Sequence, residues 1–544
     1  MHQVEVPEIL YDENAKLKLL KGVEKLTKAV QVTLGPKGKT VAISLLGSVP
    51  HLTKDGATVA RSLTLVDPYE NIGASLVREA AQSSAEVVGD GTTTSIVLAY
   101  NILKNSQQLV VAGQSANELA EGMKQAYNLV LAELEKKKTL VNSDSLLRDV
   151  ATISANGEAG LGQLIADAIN RVGYDGAISV QQAKGFDTKL DIVDGTFISR
   201  GFESPYFVTH NAKQIVELES PLVLIVNDSV VSMHSILPAL EHAISCGRSL
   251  LLVCNEISGE ALQTLVLNKI KGGLKVCAIK SPEFGSARIQ AMQDLAALTN
   301  AKILMAGTKL TSGEIAKYLG SCNRAEISKS ITVLFGTERN EEVEERLKSI
   351  RNVLEDPGAT EDDKAIAQRR LNTLSNGIAV IQVGGATEAE MLERLDRVDD
   401  ALCAAKAALK GGIQPGGGVA LVRAARIVNT KLPRIRFESE GELMGARAFL
   451  RALDEPMRQI AENCGKSPDI VLQKIVEKPY KTGYDGRRDK YGNMFKLGIL
   501  DPHLVVVSSL KNSLSVACNL LSIGCTIVRA DMNKNDGLTS FSHI

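Results

Sequence analysis

The sequence predicts a multidomain α+β protein in which two helix-rich arms flank a central α/β segment. The chain has 544 residues, which at roughly 150 residues per domain corresponds to three or four domains. Helical periodicity dominates both ends of the chain, whereas short β-branched runs separated by turns occupy its centre. We therefore expect the two outer arms to fold together as one discontinuous domain.

The N-terminal arm contains long amphipathic patterns. Apolar side chains recur every three or four positions over residues 14–33, which predicts a helix that ends at Gly35-Pro36. The same periodicity predicts helices over 71–88 and 92–109, joined by a Gly-Asp-Gly-Thr-Thr-Thr turn. In the C-terminal arm a run of three glycines at 416–418 opens another helical stretch, and helical patterns continue to about residue 470.

The central segment predicts an α/β fold with a partly parallel sheet. Helical patterns lie between several of the β-branched runs, an arrangement typical of parallel strands joined by helices. A charged stretch over 340–374, interrupted at Asp356-Pro357-Gly358, predicts an antiparallel helical hairpin. A further helix is predicted over 389–409. The predicted strands are 177–180, 190–193, 222–226, 250–253, 276–279, 303–305 and 378–383.

Charge and composition argue against a nucleic-acid-binding protein and against a membrane protein. The formal net charge is −1 and aromatic residues make up 4% of the chain, so neither a basic field nor base-stacking side chains favour nucleic-acid binding. No apolar run approaches the roughly 18 residues that a spanning helix needs. Runs such as 222–226 and 504–507 have the length of core strands, so no membrane association is predicted.

The start of the chain and the cysteines favour a cytoplasmic protein. Residues 1–13 are acidic and contain neither a basic start followed by an apolar stretch nor an Arg-rich segment, so no targeting presequence is predicted. The eight cysteines lack the spacing of metal ligands. We expect them to be buried, reduced thiols.

The strongest local motif is the turn Gly89-Asp90-Gly91-Thr92-Thr93-Thr94 at the start of a predicted helix. Its glycines let the backbone approach a ligand closely, and the helix N-terminus presents free N–H groups to an anion such as phosphate. Asp90 suits such a site only if a cation such as Mg²⁺ lies between it and the phosphate. A plain threonine-capped helix is an alternative explanation of this motif.

Two other glycine turns, 33–38 and 416–418, are weaker candidates for contact with a nucleotide, and each is also compatible with an ordinary helix boundary. Lys54-Asp55 and Asp399-Asp400 are candidate carboxylate sites for orienting a water molecule. Acidic residues are also common on solvated surfaces, so neither pair identifies a site by itself.

Ten motifs, taken in order along almost the whole chain, resemble those of the group I chaperonins. The resemblance extends from about residue 9 to residue 536, and the chain resembles a divergent bacterial paralogue within that family. The matching segments are 33–38, 53–56, 89–94, 152–156, 200–201, 204–207, 398–401, 416–421, 491–494 and 498–502.

The resemblance implies a subunit of three domains. An equatorial ATP-binding domain would comprise 1–136 and 411–544, an intermediate hinge domain 137–193 and 379–410, and an apical substrate-binding domain 194–378. The implied function is that of an ATP-dependent chaperone, which binds unfolded polypeptides and promotes their folding inside a homo-oligomeric ring. A double seven-membered ring and a GroES-type cochaperonin are implied partners, with ATP, Mg²⁺ and K⁺ as cofactors.

The resemblance also assigns roles to residues. Asp400 would orient the hydrolytic water with support from Asp55, Asp90 would bind Mg²⁺, and Thr33 and Lys54 would lie near K⁺. The implied nucleotide-binding residues are Thr33, Leu34, Gly35, Pro36, Lys54, Asp90, Gly91, Thr92, Thr93, Thr94, Gly417, Asp485, Gly486, Arg487 and Asp501.

Two predicted helices of the central segment, 232–244 and 259–271, have apolar stripes. From the residues alone, both stripes are best explained as buried core. The resemblance implies instead that part of each stripe is exposed and binds unfolded chains through non-directional apolar burial. The implied substrate-binding residues are Phe202, Tyr206, Phe207, Leu237, Leu240, Leu262, Val266 and Leu267.

The sequence departs from the family pattern around the adenine and in the hinge. Asp485-Gly486-Arg487 replaces the usual Asn-Ala-Ala, Lys410-Gly411 replaces an acidic pair, and the tail at 538–544 lacks Gly-Gly-Met repeats. These departures favour a second hypothesis, a divergent paralogue with weak ATPase or poor assembly that acts as a holdase or a regulatory binding protein. A small-molecule kinase is a distant third hypothesis, because no phosphoacceptor pocket is evident.

Overall fold

The structure is a computed structural model of the whole chain. The residues that it describes are 7–44, 51–173, 176, 178–183, 185–210, 214–283, 285–305, 308, 313–337, 340–356, 360–375 and 377–529. The tail at 538–544, Ala177 and Pro357-Gly358 therefore lie outside the described residues.

The chain folds into two compact units. The first comprises residues 1–166 and 385–544, and the second comprises residues 167–384. The first unit is therefore discontinuous, with the whole second unit inserted between its two arms. The α-helices are α1 (Asp12–Gln31), α2 (Gly56–Ser62), α3 (Pro68–Val88), α4 (Thr92–Val111), α5 (Ala116–Lys137), α6 (Asp144–Ser154), α7 (Ala159–Val172), α8 (Leu237–Ser245), α9 (Gly259–Gly272), α10 (Gly285–Thr299), α11 (Glu341–Glu355), α12 (Glu361–Ser375), α13 (Glu388–Gly411), α14 (Val419–Lys431), α15 (Glu440–Ala452), α16 (Glu455–Asn463), α17 (Pro468–Val476), α18 (Met494–Leu497) and α19 (His503–Ser522).

Strands pair in several small sheets. The strands are β1 (Pro7–Tyr11), β2 (Val41–Ile43), β3 (His51–Thr53), β4 (Ile178–Gln182), β5 (Lys189–Val193), β6 (Gly195–Ile198), β7 (Val216–Glu219), β8 (Leu222–Val230), β9 (Leu250–Ile257), β10 (Val276–Lys280), β11 (Ile303–Met305), β12 (Gly320–Ser321), β13 (Arg324–Ile327), β14 (Thr332–Phe335), β15 (Ile378–Val383), β16 (Ile413–Pro415), β17 (Thr482–Asp485), β18 (Lys490–Asn493), β19 (Leu500–Pro502) and β20 (Cys525–Arg529).

Long helices from both arms form the core of the first unit. Helices α1, α3, α4 and α19 pack on one another around fully buried side chains such as Leu26, Ile96 and Leu510. Strands β1 and β20 pair antiparallel, with Pro7 opposite Arg529 and Tyr11 opposite Cys525, so the two arms also share a sheet. This core supports the N-terminal turns that line the site described below.

Helices α5 and α15 approach so closely that only glycine fits at their crossing. A Cβ atom added at Gly122 of α5 would lie 1.8 Å from the carbonyl oxygen of Glu442 in α15. A Cβ atom added at Gly445 of α15 would lie 2.2 Å from the carbonyl oxygen of Leu119 in α5. The N-terminal and C-terminal arms are thus packed backbone against backbone at this crossing.

The prediction for residues 504–507 is wrong. This apolar run lies in helix α19 and not in a core strand. Helix α19 is the one described helix long and apolar enough to cross a membrane by length and composition. Its buried side chains, including Val506 and Leu510, pack in the core against α3 and α4.

The second unit contains the predicted partly parallel sheet. Strands β10, β9, β8 and β11 run parallel in that order, and β12 pairs antiparallel with β8. A separate antiparallel sheet has the order β6, β14, β13, β7, and a third sheet pairs β15 with β4 and β5. Helices α11 and α12 pack together through Val343, Leu347 and Leu374, which is the predicted helical hairpin.

All eight cysteines are free thiols. Cys254, Cys277, Cys322 and Cys464 are buried, as the sequence predicted. The prediction of burial is wrong for the exposed Cys246 and Cys525, which occupy the end of α8 and the edge strand β20.

Candidate functional site

The first unit encloses a cavity of about 830 Å³ between segments of both arms. The turns that follow α1 and α3, the start of α2 and one face of α13 line it, together with the 416–418 loop, the β17–β18 turn and strand β19. These segments are far apart in sequence, so the cavity exists only when both arms have folded together. Its volume is in the range of small-molecule binding sites.

The turn after α1 is held in place by neighbouring side chains. Asn463 Nδ2 donates hydrogen bonds to the carbonyl oxygens of Gln31 and Leu34 at 2.9 and 2.8 Å. Thr33 Oγ1 donates to the carbonyl oxygen of Val30 at 2.9 Å. Gly35 has φ of +85°, a left-handed conformation that glycine adopts without strain. The turn is therefore a preformed wall of the cavity.

The turn between α3 and α4 requires its two glycines. Gly89 and Gly91 have φ of +76° and +95°. A Cβ atom at Gly89 would lie 2.0 Å from Cys403 Cβ of α13, and one at Gly91 would lie 2.4 Å from Ser509 Oγ of α19. The backbone is thus pressed against two helices while the N-terminus of α4 stays beside the cavity.

The side chains of this turn divide between cavity and core. Asp90, Thr93 and Thr94 line the cavity. Thr92 is only 5% exposed and does not line it, so the predicted nucleotide contact of this side chain disagrees with the structure.

Asp55 has a structural role that its position in the sequence motif did not reveal. It is the N-cap of α2, and its carboxylate accepts hydrogen bonds from the backbone N–H groups of Ala57 and Thr58 at 2.8 and 2.7 Å. The Thr58 hydroxyl donates a third bond at 2.6 Å. These bonds fix the Asp55 carboxylate at the cavity wall.

A group of carboxylates meets at this end of the cavity. Burial raises the pKa of Asp90, and the charge of Asp55 raises it further. Burial also raises the pKa of Asp400 well above its ordinary value, and the charges of four other aspartates add to this effect: Asp90, Asp55, Asp396 and Asp399. Such repulsion is relieved when a cation binds among the carboxylates.

The carboxylates of this cavity suit Mg²⁺ if a bound phosphate supplies further oxygen ligands. Carboxylate oxygens are hard donors of the kind that Mg²⁺ prefers. In the described part of the chain, no three His, Cys, Asp or Glu side chains are arranged to hold a metal ion on their own. Asp90 would therefore share the ion with oxygen atoms of a bound phosphate and with water.

Asp501 lines the same cavity, beside the glycine loop at 416–418. Strand β19 pairs with β16, which places Asp501 next to the 416–418 loop. Its carboxylate accepts N–H groups of Gly417 and Gly418, and a Cβ atom at Gly416 would lie 2.8 Å from Asp501 Oδ1. Burial, with the charge of Asp90, raises the pKa of Asp501 to about 6.

Replacing Asp501 by asparagine is expected to stabilise the ligand-free protein at alkaline pH. The native pKa of about 6 exceeds the unfolded value of about 3.9, so ionisation removes native stability as pH rises from about 4 to about 6. The amide oxygen of the asparagine side chain would still accept the glycine N–H groups. We expect a gain of about 1–3 kcal/mol at pH 8 and almost none at pH 4, measured by unfolding at both values. A variant less stable than wild type at pH 8 would contradict this.

The β17–β18 turn contains the three residues predicted to lie around the adenine, Asp485, Gly486 and Arg487. Asp485 is 4% exposed, and its Oδ1 atom accepts the backbone N–H groups of Arg487 and Arg488 at 2.9 and 3.2 Å. Asp485 therefore shapes the turn in this structure. The guanidinium of Arg487 donates to backbone carbonyls of the α6–α7 turn. Both residues, with Gly486, still line the cavity.

Most of the predicted nucleotide-site residues meet in this one cavity. Asp396 was missed, and it also lines the cavity. It precedes Asp400 by one helical turn of α13, and the (i, i+4) spacing could have identified it. The predicted residues that line the cavity are Thr33, Leu34, Gly35, Pro36, Lys54, Asp55, Asp90, Gly91, Thr93, Thr94, Asp400, Gly417, Asp485, Gly486, Arg487 and Asp501.

The predicted substrate-binding residues of the second unit are split between surface and core. Tyr206, Leu237 and Leu267 are 66%, 40% and 50% exposed. Phe207 and Leu240 are buried in the core, so in this structure neither can contact a second chain, contrary to the prediction. Phe202, Leu262 and Val266 are partly buried against the same core.

Comparison with known proteins decides the family. The family model of the TCP-1/cpn60 chaperonin family matches residues 26–531. This chain is a chaperonin. Two solved structures of the chaperonin gp146 from bacteriophage EL of Pseudomonas aeruginosa, both in the presence of ATP-BeFx, share 22% identity with it. Each match covers 96% of this chain and 99% of the phage chain, with TM-scores of 0.68 and 0.64.

Membership of this family establishes the general activity. The chaperonin is an ATP-dependent molecular chaperone of the group I type, with a multidomain α+β fold and ATP hydrolase activity coupled to protein folding. It binds nucleotide and non-native polypeptides, and it acts as an oligomer.

Proposed function

We propose that the cavity of the first unit is the site where this chaperonin binds Mg²⁺ and ATP and hydrolyses the nucleotide. The observation that supports this most strongly is the convergence of Asp55, Asp90, Asp400 and Asp501 with the N-terminus of α4 in one cavity. A helix N-terminus favours phosphate, while the carboxylates require a cation to coexist with it. A metal-bound nucleotide satisfies both the helix N-terminus and the carboxylates.

We assign separate roles to the carboxylates. Asp90 binds Mg²⁺ together with phosphate oxygens, and Asp501 lies where it can accept a ribose hydroxyl beside Gly417. Asp400 orients the attacking water. Asp55 supports it with a carboxylate whose position is fixed by three hydrogen bonds. Thr33 and Lys54 also line the cavity, and K⁺ binding near them is part of the proposal.

Steady-state ATP hydrolysis and the particle mass of the purified chaperonin test this proposal together. We expect hydrolysis that requires Mg²⁺ and increases with K⁺, from a particle with the mass of a double seven-membered ring. A monomeric particle, or hydrolysis that chelation of Mg²⁺ does not affect, would count against it. The division into equatorial, intermediate and apical domains and the cytoplasmic location belong to the same proposal.

We further propose that exposed apolar side chains of the second unit bind unfolded polypeptides. Lys269 Nζ donates to the carbonyl oxygens of Tyr206 and Val208, both at 2.7 Å, and so fixes residues 205–207 against helix α9. Tyr206 is thereby held near the helix that exposes Leu267 and Ile270. A GroES-type cochaperonin would compete for the same surface. The proposed client surface consists of Tyr206, Leu237, Ile244, Leu267 and Ile270.

Replacing Tyr206 and Leu267 by serine is expected to weaken client binding without unfolding the protein. Each exposed apolar side chain that a client would bury contributes about 1–2 kcal/mol, so the double variant should lose at least roughly tenfold in affinity. Binding of a chemically unfolded reporter protein measures this. Val353→Ser is the matched control, since Val353 is 38% exposed on α11. Equal binding by wild type and the double variant would exclude this surface.

The holdase alternative has one structural observation in its favour. Asp485 and Arg487, which replace the Asn and the second Ala of the usual family pattern, are engaged with the protein's own backbone. If the chaperonin prevents aggregation of a client but hydrolyses ATP no faster than an Asp400→Ala variant, the holdase function is the better description.

A further inference from the structure

Arg487 is held in a fixed direction by the turn from which it projects. Asp485 accepts the backbone N–H groups of Arg487 and Arg488 through one carboxylate oxygen. Asp489, two residues further on, accepts the Tyr484 hydroxyl at 3.0 Å and pairs with Lys466 at 2.6 Å. The turn is therefore clamped on both sides, so that Arg487 loses little additional freedom when it makes a contact.

The guanidinium of Arg487 reaches the turn between α6 and α7. Its Nη2 atom donates to the carbonyl oxygen of Asn156 at 2.6 Å, and its Nη1 atom donates to that of Gly157 at 3.1 Å. Both carbonyls follow the C-terminus of α6, where the helix dipole favours a cation. Bonds from a charged donor are stronger than those between neutral groups.

The receiving turn is shaped to fit this guanidinium. Asn156 and Gly157 have φ of +54° and +78°, which directs consecutive carbonyls toward the same side chain. A Cβ atom at Gly157 would lie 2.1 Å from Arg487 Nη1, so no larger residue fits while the contact exists. Glu158, the next residue, pairs with Arg394 and Arg397 of α13, which also contains Asp400.

The contact crosses the edge of the nucleotide cavity. Asn156, Gly157, Gly486 and Arg487 all line the cavity, and Arg487 is exposed to solvent as well. It therefore lies at the rim, and its two hydrogen bonds join the β17–β18 turn to the α6–α7 turn there. The Ala of the usual family pattern has no side chain long enough to make this connection.

We propose that Arg487 is a positioning residue that closes the rim of the nucleotide cavity and slows both entry and release of nucleotide. This inference depends on the proposed function of the cavity. A closing contact of this kind must open for nucleotide to pass in either direction, because it belongs to the protein and not to the ligand. It therefore retards association and dissociation together and changes the equilibrium affinity little.

Stopped-flow kinetics of a fluorescent ADP analogue on the full-length protein test this directly. We expect Arg487→Ala to accelerate both association and release by about 5- to 30-fold, as loss of two charge-assisted hydrogen bonds at an exposed rim predicts, while Kd changes less than about threefold. Arg487→Lys should have rates between those of wild type and Arg487→Ala. A lysine ammonium group can donate to one carbonyl, but it lacks the planar guanidinium that donates to two at once. Lys490→Ala is the charge-matched control, because Lys490 is exposed on β18 and does not line the cavity.

The outcomes distinguish a failure of the closing role of Arg487 from a failure of the proposed nucleotide-binding function of the cavity. Faster release with unchanged association would make Arg487 an ordinary ligand of the nucleotide and would overturn the closing role, as would unchanged rates for both. Hydrogen exchange of residues 153–158 in nucleotide-free protein should increase in Arg487→Ala, and no increase would equally overturn it. If wild type binds no ADP analogue while this exchange difference is present, the proposed function of the cavity fails, although the contact itself is real.

Discussion

Replacing Asp400 by alanine is expected to slow ATP hydrolysis by a factor of roughly 10²–10⁴ while nucleotide still binds. Asp400 lines the cavity from α13, and it is electrostatically coupled to Asp90 and Asp55. Burial and the charges of nearby aspartates raise the pKa of Asp400, and a cation bound among these carboxylates would favour the ionised form that accepts the proton of a water molecule. Alanine at this position removes the acceptor and leaves the phosphate-binding turn of α4 intact.

The measurement is steady-state hydrolysis together with equilibrium nucleotide binding. Asp399→Ala is the matched control, because Asp399 is the neighbouring acid on α13 and does not line the cavity. We expect the control to hydrolyse ATP at close to the wild-type rate. Wild-type hydrolysis by Asp400→Ala would refute the assigned role, and loss of binding in that variant would show that Asp400 holds the nucleotide instead.

Gly122→Ala is expected to produce a large loss of stability for the addition of a single methyl group. The added Cβ atom would lie 1.8 Å from the backbone oxygen of Glu442, so helices α5 and α15 must separate. Overpacking of this kind costs about 2–3 kcal/mol, and here the obstacle is backbone that no rotamer change can move. A melting temperature lower by roughly 3–5 °C is expected in thermal unfolding, because the unfolding entropy of a unit of this size is large.

Gly160→Ala is the matched control for this change. Gly160 lies in helix α7, and nothing within 4 Å would meet its added Cβ atom. Since alanine is the better helix former, the control should melt at or slightly above the wild-type temperature. If Gly122→Ala melts with the control, the two helices are not in contact as closely as described.

Sequence patterns predicted those helices and strands that the spacing of neighbouring apolar residues is enough to identify. The three- and four-residue spacing of apolar side chains in α1, and the β-branched runs of β8 and β9, each predicted the right element to within a few residues. The run at 504–507 did not, because four apolar residues fit a strand and a turn of helix equally well. Only the length of α19 distinguishes the two.

The candidate site was predicted from sequence motifs. The residues for which the prediction failed are those whose burial depends on tertiary packing. Nothing in the sequence shows that Thr92 and Phe207 face the core while Thr93 and Tyr206 face outward, since neighbouring residues share the same motif. The contact of Arg487 with Asn156 joins positions that are distant in the chain and uses a backbone acceptor. Every residue has a backbone carbonyl, so the acceptor of such a hydrogen bond cannot be recognised from residue type in the sequence.

The discontinuous first unit has a consequence for how the protein is made. Thr33 leaves the ribosome long before Asp501, and at about 5–20 residues per second the delay is roughly 20–90 s. During that time α1 and α3–α5 have no partner in α15 or α19, so their apolar faces stay open to other chains in the cell. The second unit is continuous and can fold first. A protein that protects others from aggregation is therefore, during its own synthesis, in need of the same protection.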